Sequence, residues 1–346
     1  MAQVPTLIVD QFGAYVGKHS ERIQVRRQRD VIEEAPVMFL ENLLIIGKGI
    51  SISADALALC AGNGIPVHCL SQRGEPYAAL YAAGLAGTVV TRRAQYTAYN
   101  DCRGVALAAA FAAGKVQNQA RLLKYLGKSR KQKAPEVYAA LHDAAQAVER
   151  HIAELTAWRS QAWEVGVDAY RGQLLSIEGR AAQAYWEGLK HVIPVALGWP
   201  GRRGRGAPDP FNAALNYGYG VLYGQVERAV LLAGLDAYAG YIHTDRPGKP
   251  SLVLDLIEEF RAPVVDRAVV GIVGQGMRIE QDEEGWLTLK TRRAIAERVL
   301  DRLEESSERY ERKRQKLRWI LQSQARHIAT FVRGDRAEYR PFVSGW

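Results

Sequence analysis

Cysteine is scarce. Cys60, Cys69 and Cys102 are odd in number and share no C-x-x-C spacing, which argues against a disulfide framework or a zinc ribbon and fits a reducing cytosol. No apolar run reaches membrane-spanning length, and the start, Met1 to Pro5, lacks a basic region followed by an apolar core, so an unanchored cytoplasmic protein is expected. Acidic residues do not balance basic ones: 37 Asp and Glu against 46 Lys and Arg leave a net charge of +9. A surface of that sign attracts polyanions, of which nucleic acid is the commonest. No tail concentrates the charge, so it lies on folded surfaces. The 346 residues, 48% of them hydrophobic, suffice for two domains and a substantial core.

Short β-forming runs broken by turn residues fill the first part: Thr6 to Asp10, Ala14 to Gly17, Arg22 to Arg26, Asn42 to Ile46 and Ile50 to Ser53. The alternation in Arg22 to Arg26 predicts one wet face. Ser53 starts a short helix, Ala54 to Cys60, that ends at Gly62-Asn63-Gly64, and Ile65 to Leu70 returns as a strand. Gly47-Lys48-Gly49 is a tight turn rather than a nucleotide loop, because the sixth position of a G-x-G-x-x-G frame is Ile52. His68 and Cys69 read as packing residues. Around Gly84 to Thr88 the period changes from two to helical. The expected fold class is therefore α+β: a small β-rich domain over residues 1–84, a linker over 85–91 and a larger helical domain over 92–346.

In the helical part an alanine-rich run leads through Ala113 into Leu123, and Pro135 opens a long amphipathic stretch. The cluster Lys124, Lys128, Arg130, Lys131 and Lys133 suits either a phosphate contact or a solvated loop. Glu178 lies among apolar and small residues, where an unpaired charge is costly, so it needs a cation: a metal ion, or an arginine such as Arg180. A Gly/Arg/Pro loop with Arg202, Arg203 and Arg205 precedes Asp209-Pro210, which caps a helix from Phe211 to Ala233 bearing Tyr219 and Tyr223 on one face. Near the end, Arg309, Arg312, Lys313, Arg314, Lys316 and Arg318 are expected on a helix that lies along a duplex or pairs with Glu304, Glu305, Glu308 and Glu311.

The most informative stretch runs from Gly240 to Arg261. His243 sits in a Gly/Pro-rich turn, and after Pro250-Ser251 the apolar Leu252, Leu256, Ile257 and Phe260 recur at helical spacing. Asp255 and Glu258 then share a face at i and i+3, with Glu259 at i+4. An imidazole and a carboxylate that converge in this way make most of a hard-cation site with one nitrogen ligand, of the kind that accepts Mg²⁺ or Mn²⁺. The plainer alternative is a helix-dipole preference for acids and a histidine that only caps a turn.

These residues carry a resemblance. Leu175 to Ala182, Asp209 to Ala213 with Tyr217 to Tyr223, Gly240 to Arg261, Gln324 to Arg326 and Tyr339 to Phe342, in that order, resemble the CRISPR-associated adaptation endonuclease and integrase, the Cas-one family. Asn42 to Ser53 and Asn63 to Val67 fit the same family's β domain. The resemblance implies a homodimer that assembles with a second adaptation protein, Cas-two, and acts on double-stranded and branched DNA. It puts metal ligands on Glu178, His243 and Glu258, with Asp255 supporting a ligand from behind or serving as an alternative one. Tyr223 and Arg261 become candidates for positioning DNA or stabilising charge, although core packing accounts equally for Tyr223. Two other readings compete with an integrase: a DNA-binding or assembly subunit whose acidic cluster only organises the fold, and an RNA-directed nuclease with the same metal logic.

Overall fold

Alternate residues of one buried strand, β5 (Asn42–Ile46), belong to two different cores, and this joins the two halves of the molecule. Leu43 and Ile45 pack within the strand-rich region, whereas Leu44 and Ile46 pack into the core of the helices, as the two-residue period of a strand dictates. The structure is a computed structural model that describes residues 6–82, 89–159, 166–204, 206–243 and 246–346. β5 lies between β1 (Thr6–Val9) and β7 (Val67–Leu70), parallel to both, and β8 (Pro76–Leu80) pairs antiparallel with β7. A second sheet is ordered β4 (Asp30–Pro36), β3 (Arg22–Arg27), β2 (Ala14–His19), β6 (Ser51–Ile52). Between β6 and β7 runs α1 (Ala54–Gly62), capped by Ser53, whose hydroxyl accepts from the Ala56 amide at 3.1 Å. The wet face expected in β3 is only partly wet: Arg22 is half-buried and Arg26 exposed, but Gln24 between them is buried, its amide satisfied by Glu34 and Arg26, while Ile23 and Val25 are buried on the other face.

From Val89 onward the described residues are mainly helical: α2 (Val89–Ala98), α3 (Cys102–Lys128), α4 (Pro135–Arg159), α5 (Asp168–Lys190), α6 (Pro210–Leu232), α7 (Ser251–Phe260), α8 (Arg267–Gly274), α9 (Leu289–Glu304) and α10 (Leu317–Val332). A strand-rich N-terminal region thus precedes a helical C-terminal one, the α+β class expected. The period change at Gly84 to Thr88 lies outside the described residues, as does Arg205, and Val89, Val90 and Thr91 begin α2. Among the described residues no helix is long and apolar enough to cross a membrane.

The basic stretch near the end is not a helix. Ser307–Tyr310 (β9) and Lys313–Lys316 (β10) form an antiparallel hairpin, with Glu311 and Arg312 at its tip both at positive φ, 45° and 68°. Paired positive φ values are the mark of a two-residue hairpin turn whose twist matches its strands. Glu and Arg are unusual there, so the sequence carried no turn signal. Glu308 is buried and accepts from the indole of Trp346 at 2.6 Å, which tethers the chain's last residue to the hairpin.

Two close approaches position the functional side chains. Between β7 and β8 the chain turns from Ser71 to Gly74, closed by the Gly74 amide donating to the Ser71 carbonyl at 2.9 Å. Gly220 of α6 lies so near the end of this turn that a Cβ would collide with the Gly74 carbonyl oxygen, and only glycine lets the strand-rich region dock there. Gly114 of α3 does the same for α7 and the C-terminal tail, since a Cβ there would meet Pro341 at 2.8 Å and Glu259 at 3.0 Å.

Candidate functional site

Nine of the ten residues of α7 are buried, Asp255, Glu258 and Glu259 among them. A helix covered on all sides holds its place through apolar contacts, with Leu252, Leu256, Ile257 and Phe260 each contributing about 1.5–3 kcal/mol. Its three carboxylates must therefore be matched one by one. Glu259 is spent on structure: it accepts from the Tyr339 hydroxyl at 2.6 Å, the Gln324 amide at 2.7 Å and the Phe342 amide at 2.8 Å.

Asp255 builds the histidine turn. Its Oδ2 accepts from the amides of Tyr241 (2.5 Å) and Ile242 (3.2 Å), and its Oδ1 takes the His243 amide (2.9 Å) and ring Nδ1 (2.8 Å). In the neutral ring, a carboxylate on Nδ1 assigns the proton to that nitrogen and leaves the lone pair on Nε2, the form in which histidine binds metals. Burial works against a charged ring, but the hydrogen bond and charge of Asp255, with Glu258 and Glu178 beyond, hold the His243 pKa above the ordinary histidine value.

Glu258 meets Glu178 of α5 across a cation that the sequence reading missed. The ammonium of Lys115, on α3, pairs with Glu178 Oε1 and lies 2.8 Å from Glu258 Oε2. Arg261 Nε stands 3.0 Å from the other Glu258 oxygen. Burial disfavours a charged Glu258, yet Arg261, Lys115 and His243 together bring its carboxyl down to about 2. Lys115, in turn, is disfavoured as an ammonium by burial and held charged by Glu258 and Glu178. Arg180, the arginine considered for Glu178, instead pairs with Glu154 at 2.6 Å. The signal for Lys115 was present, a single lysine directly after the apolar run Ala108 to Gly114.

Arg261 owes its aim to a break in the helix. Pro263 has no amide to offer the carbonyl of Glu259, which accepts instead from the Asn118 side chain at 2.8 Å, and residues Arg261–Asp266 widen into a π-helical turn. The Arg261 guanidinium then lies 4.5 Å from the ring centroid of Tyr219. The Tyr219 hydroxyl donates to Asp266, as does that of Tyr185 at 2.6 Å. Burial raises the Asp266 carboxyl to about 6 against the pull of these two hydroxyls. A raised acid binds its proton more tightly folded than unfolded, so stability is lost as pH rises from about 3.8 to about 6. Asp266→Asn is expected to remove that slope, worth about 3 kcal/mol, and denaturant titrations from pH 4 to 7 would show it.

Tyr223 is buried and donates to Glu227 at 3.2 Å, which also meets His68 at 3.2 Å. Its ring borders a cleft of about 1120 Å³ that also takes in Arg73, Arg246, Lys249 and Trp286. Arg202, Tyr219 and Arg261 line both this cleft and a smaller cavity of about 210 Å³ beside Lys115 and Glu258. The structure therefore brings Glu178 and Glu258 to one cation and His243 to Asp255, with Arg261 and Tyr223 on the wall of a basic, aromatic cleft.

Among the described residues, no three His, Cys, Asp or Glu side chains stand close enough to hold an ion as they are, since Lys115 fills the gap between the carboxylates. The donor set nevertheless suits a hard divalent cation. Glu178 Oε2 and Glu258 Oε2 are buried without a geometrically formed hydrogen bond, the latter despite its short approach to Lys115, and the neutral form of His243, its Nδ1 turned to Asp255, would have Nε2 for ligation.

Comparison with known proteins agrees in family. Residues 7–301 match the family described as CRISPR associated protein Cas1. A CRISPR-associated endonuclease Cas1 of Archaeoglobus fulgidus is 38% identical over 98% of this chain and 99% of its own length. A casposase bound to integration product shares the fold with a TM-score of 0.80 at 19% identity, over 97% of this chain and 93% of that one. A Cas6-RT-Cas1–Cas2 complex does so with a TM-score of 0.76 at 19% identity, over 99% of this chain and 36% of that one. On the matched span and the end-to-end identity, the chain belongs to the CRISPR-associated Cas1 family.

Proposed function

We propose that the protein is a divalent-metal-dependent DNA endonuclease and integrase of CRISPR adaptation, inserting captured DNA into the array by attack of a 3′-hydroxyl on a phosphodiester. The observation that carries this reading is the meeting of Glu178 and Glu258 at one cation, with the His243–Asp255 pair close by and a basic cleft alongside. Glu178, His243 and Glu258 would hold Mg²⁺ or Mn²⁺. When bound, the ion supplies charge neutralisation at the phosphate and activation of the attacking oxygen. Asp255 keeps the histidine in its ligating tautomer. Arg261, fixed by Glu258 and stacked on Tyr219, offers positive charge to the phosphate, and Tyr223 shapes the wall along which DNA lies.

The partners of this reading are DNA, a second copy of the chain, and Cas2, which appears with Cas1 in the complex whose fold this chain shares. A cytoplasmic location goes with these partners. The competing reading, an acidic cluster that only braces the fold, draws on Lys115, which already neutralises the two carboxylates. Incubation with Mn²⁺ and a branched DNA bearing a free 3′-hydroxyl decides between them. Strand joining that EDTA abolishes is expected, and DNA binding without joining or cleavage would favour the bracing role.

A further inference from the structure

We propose that Lys115 is a tethered cation that occupies the Glu178–Glu258 gap until a divalent ion displaces it, whereupon its ammonium moves into the adjoining cavity. The inference rests on Glu178, His243 and Glu258 being the ion's ligands.

Three observations support it. The first is charge. Glu178 and Glu258 face Lys115 and Arg261, two acids against two bases, so the site is closed electrostatically without any ion. An entering divalent cation cannot share the gap with an ammonium at hydrogen-bond distance, because two cations there would repel strongly in a buried setting. The second is room. Lys115, Gln119 and Arg202 all line the cavity of about 210 Å³ next to Glu258, and the flexible four-carbon stem of lysine can swing while α3 stays fixed.

The third is a waiting acceptor. Gln119 lies one helical turn beyond Lys115 and is buried, and its Oε1 has no hydrogen-bond partner among the described residues. A buried unpaired carbonyl oxygen is costly unless some state of the protein satisfies it. An ammonium released from the carboxylates would do so, and would stand with Arg202 and Arg261 facing the same cavity. That arrangement carries surplus positive charge, which a phosphodiester neutralises, so ion binding would prepare the site for DNA.

The test is Mn²⁺ affinity, read from the free-ion electron paramagnetic resonance signal, in the wild type, Lys115→Met and Glu258→Gln. Lys115→Met removes the competitor and should tighten Mn²⁺ binding about tenfold or more. Its melting temperature should fall without ion, where two carboxylates are left facing each other, and recover when Mn²⁺ saturates. Unchanged or weaker binding by Lys115→Met, with binding lost in Glu258→Gln, would overturn the role of Lys115 alone. Wild-type affinity in Glu258→Gln would overturn the ligand reading and this inference with it. If Lys115→Met does not fold, crystals of the wild type grown with Mn²⁺ give the answer. The Lys115 Nζ should have left the gap for Gln119, and an ammonium still between the carboxylates beside a bound ion would refute the proposal.

Discussion

His243→Ala is expected to reduce metal-dependent cleavage and strand joining about a thousandfold or more, while DNA affinity stays within about threefold of the wild type. The loss would follow from removing the proposed nitrogen ligand from a set otherwise made of carboxylates; a Lewis acid's contribution of several kcal/mol corresponds to that factor. The binding term should survive because, on the proposed reading, phosphate contacts would come from cleft residues such as Arg73, Arg246 and Lys249, none of which depends on the imidazole. Stability should change little: Asp255 keeps its three amide donors when the ring is gone. Joining is measured by gel and binding by titration on one preparation. Parallel loss of both in a folded variant would make His243 a structural residue, and retained joining would remove it from the site.

The local part of the candidate site was legible from sequence because helical spacing is local. His243 and Asp255 lie within 13 residues, counting both ends, and their pairing needs only one turn and one helix. The α+β division was legible too, since strand and helix periods differ. Lys115 was visible only as a lone lysine after an apolar run; its role was not, because that depends on α3 passing between α5 and α7, and no local pattern states which helices touch. The π-helical turn was hidden for a similar reason: Pro263 announces a break, but only the Asn118 side chain shows how the freed carbonyl is satisfied. The hairpin at Glu311-Arg312 was missed because its residues are not those that usually take positive φ.

Asp255→Asn is expected to be severe, destabilising the fold by about 3 kcal/mol or more and lowering joining by about a further hundredfold at temperatures where the variant stays folded. From sequence alone, with Asp255 merely behind a ligand, this would be the mild substitution of the set. The geometry reverses that expectation. Both carboxylate oxygens accept, Oδ2 from two amides and Oδ1 from an amide and the His243 ring. An asparagine must put its NH₂ against one of these pairs of donors, whichever way it is turned, and Asp255 is fully buried, so water cannot relieve the conflict. Facing the ring, the NH₂ would also impose the other tautomer and take away the lone pair at Nε2. Facing Tyr241 and Ile242, it would unpin the turn that presents His243. Thermal denaturation should therefore show a clear loss, and Mn²⁺ affinity should fall with it. A variant with wild-type stability and joining would mean that the Asp255 hydrogen bonds neither hold this turn nor orient the histidine.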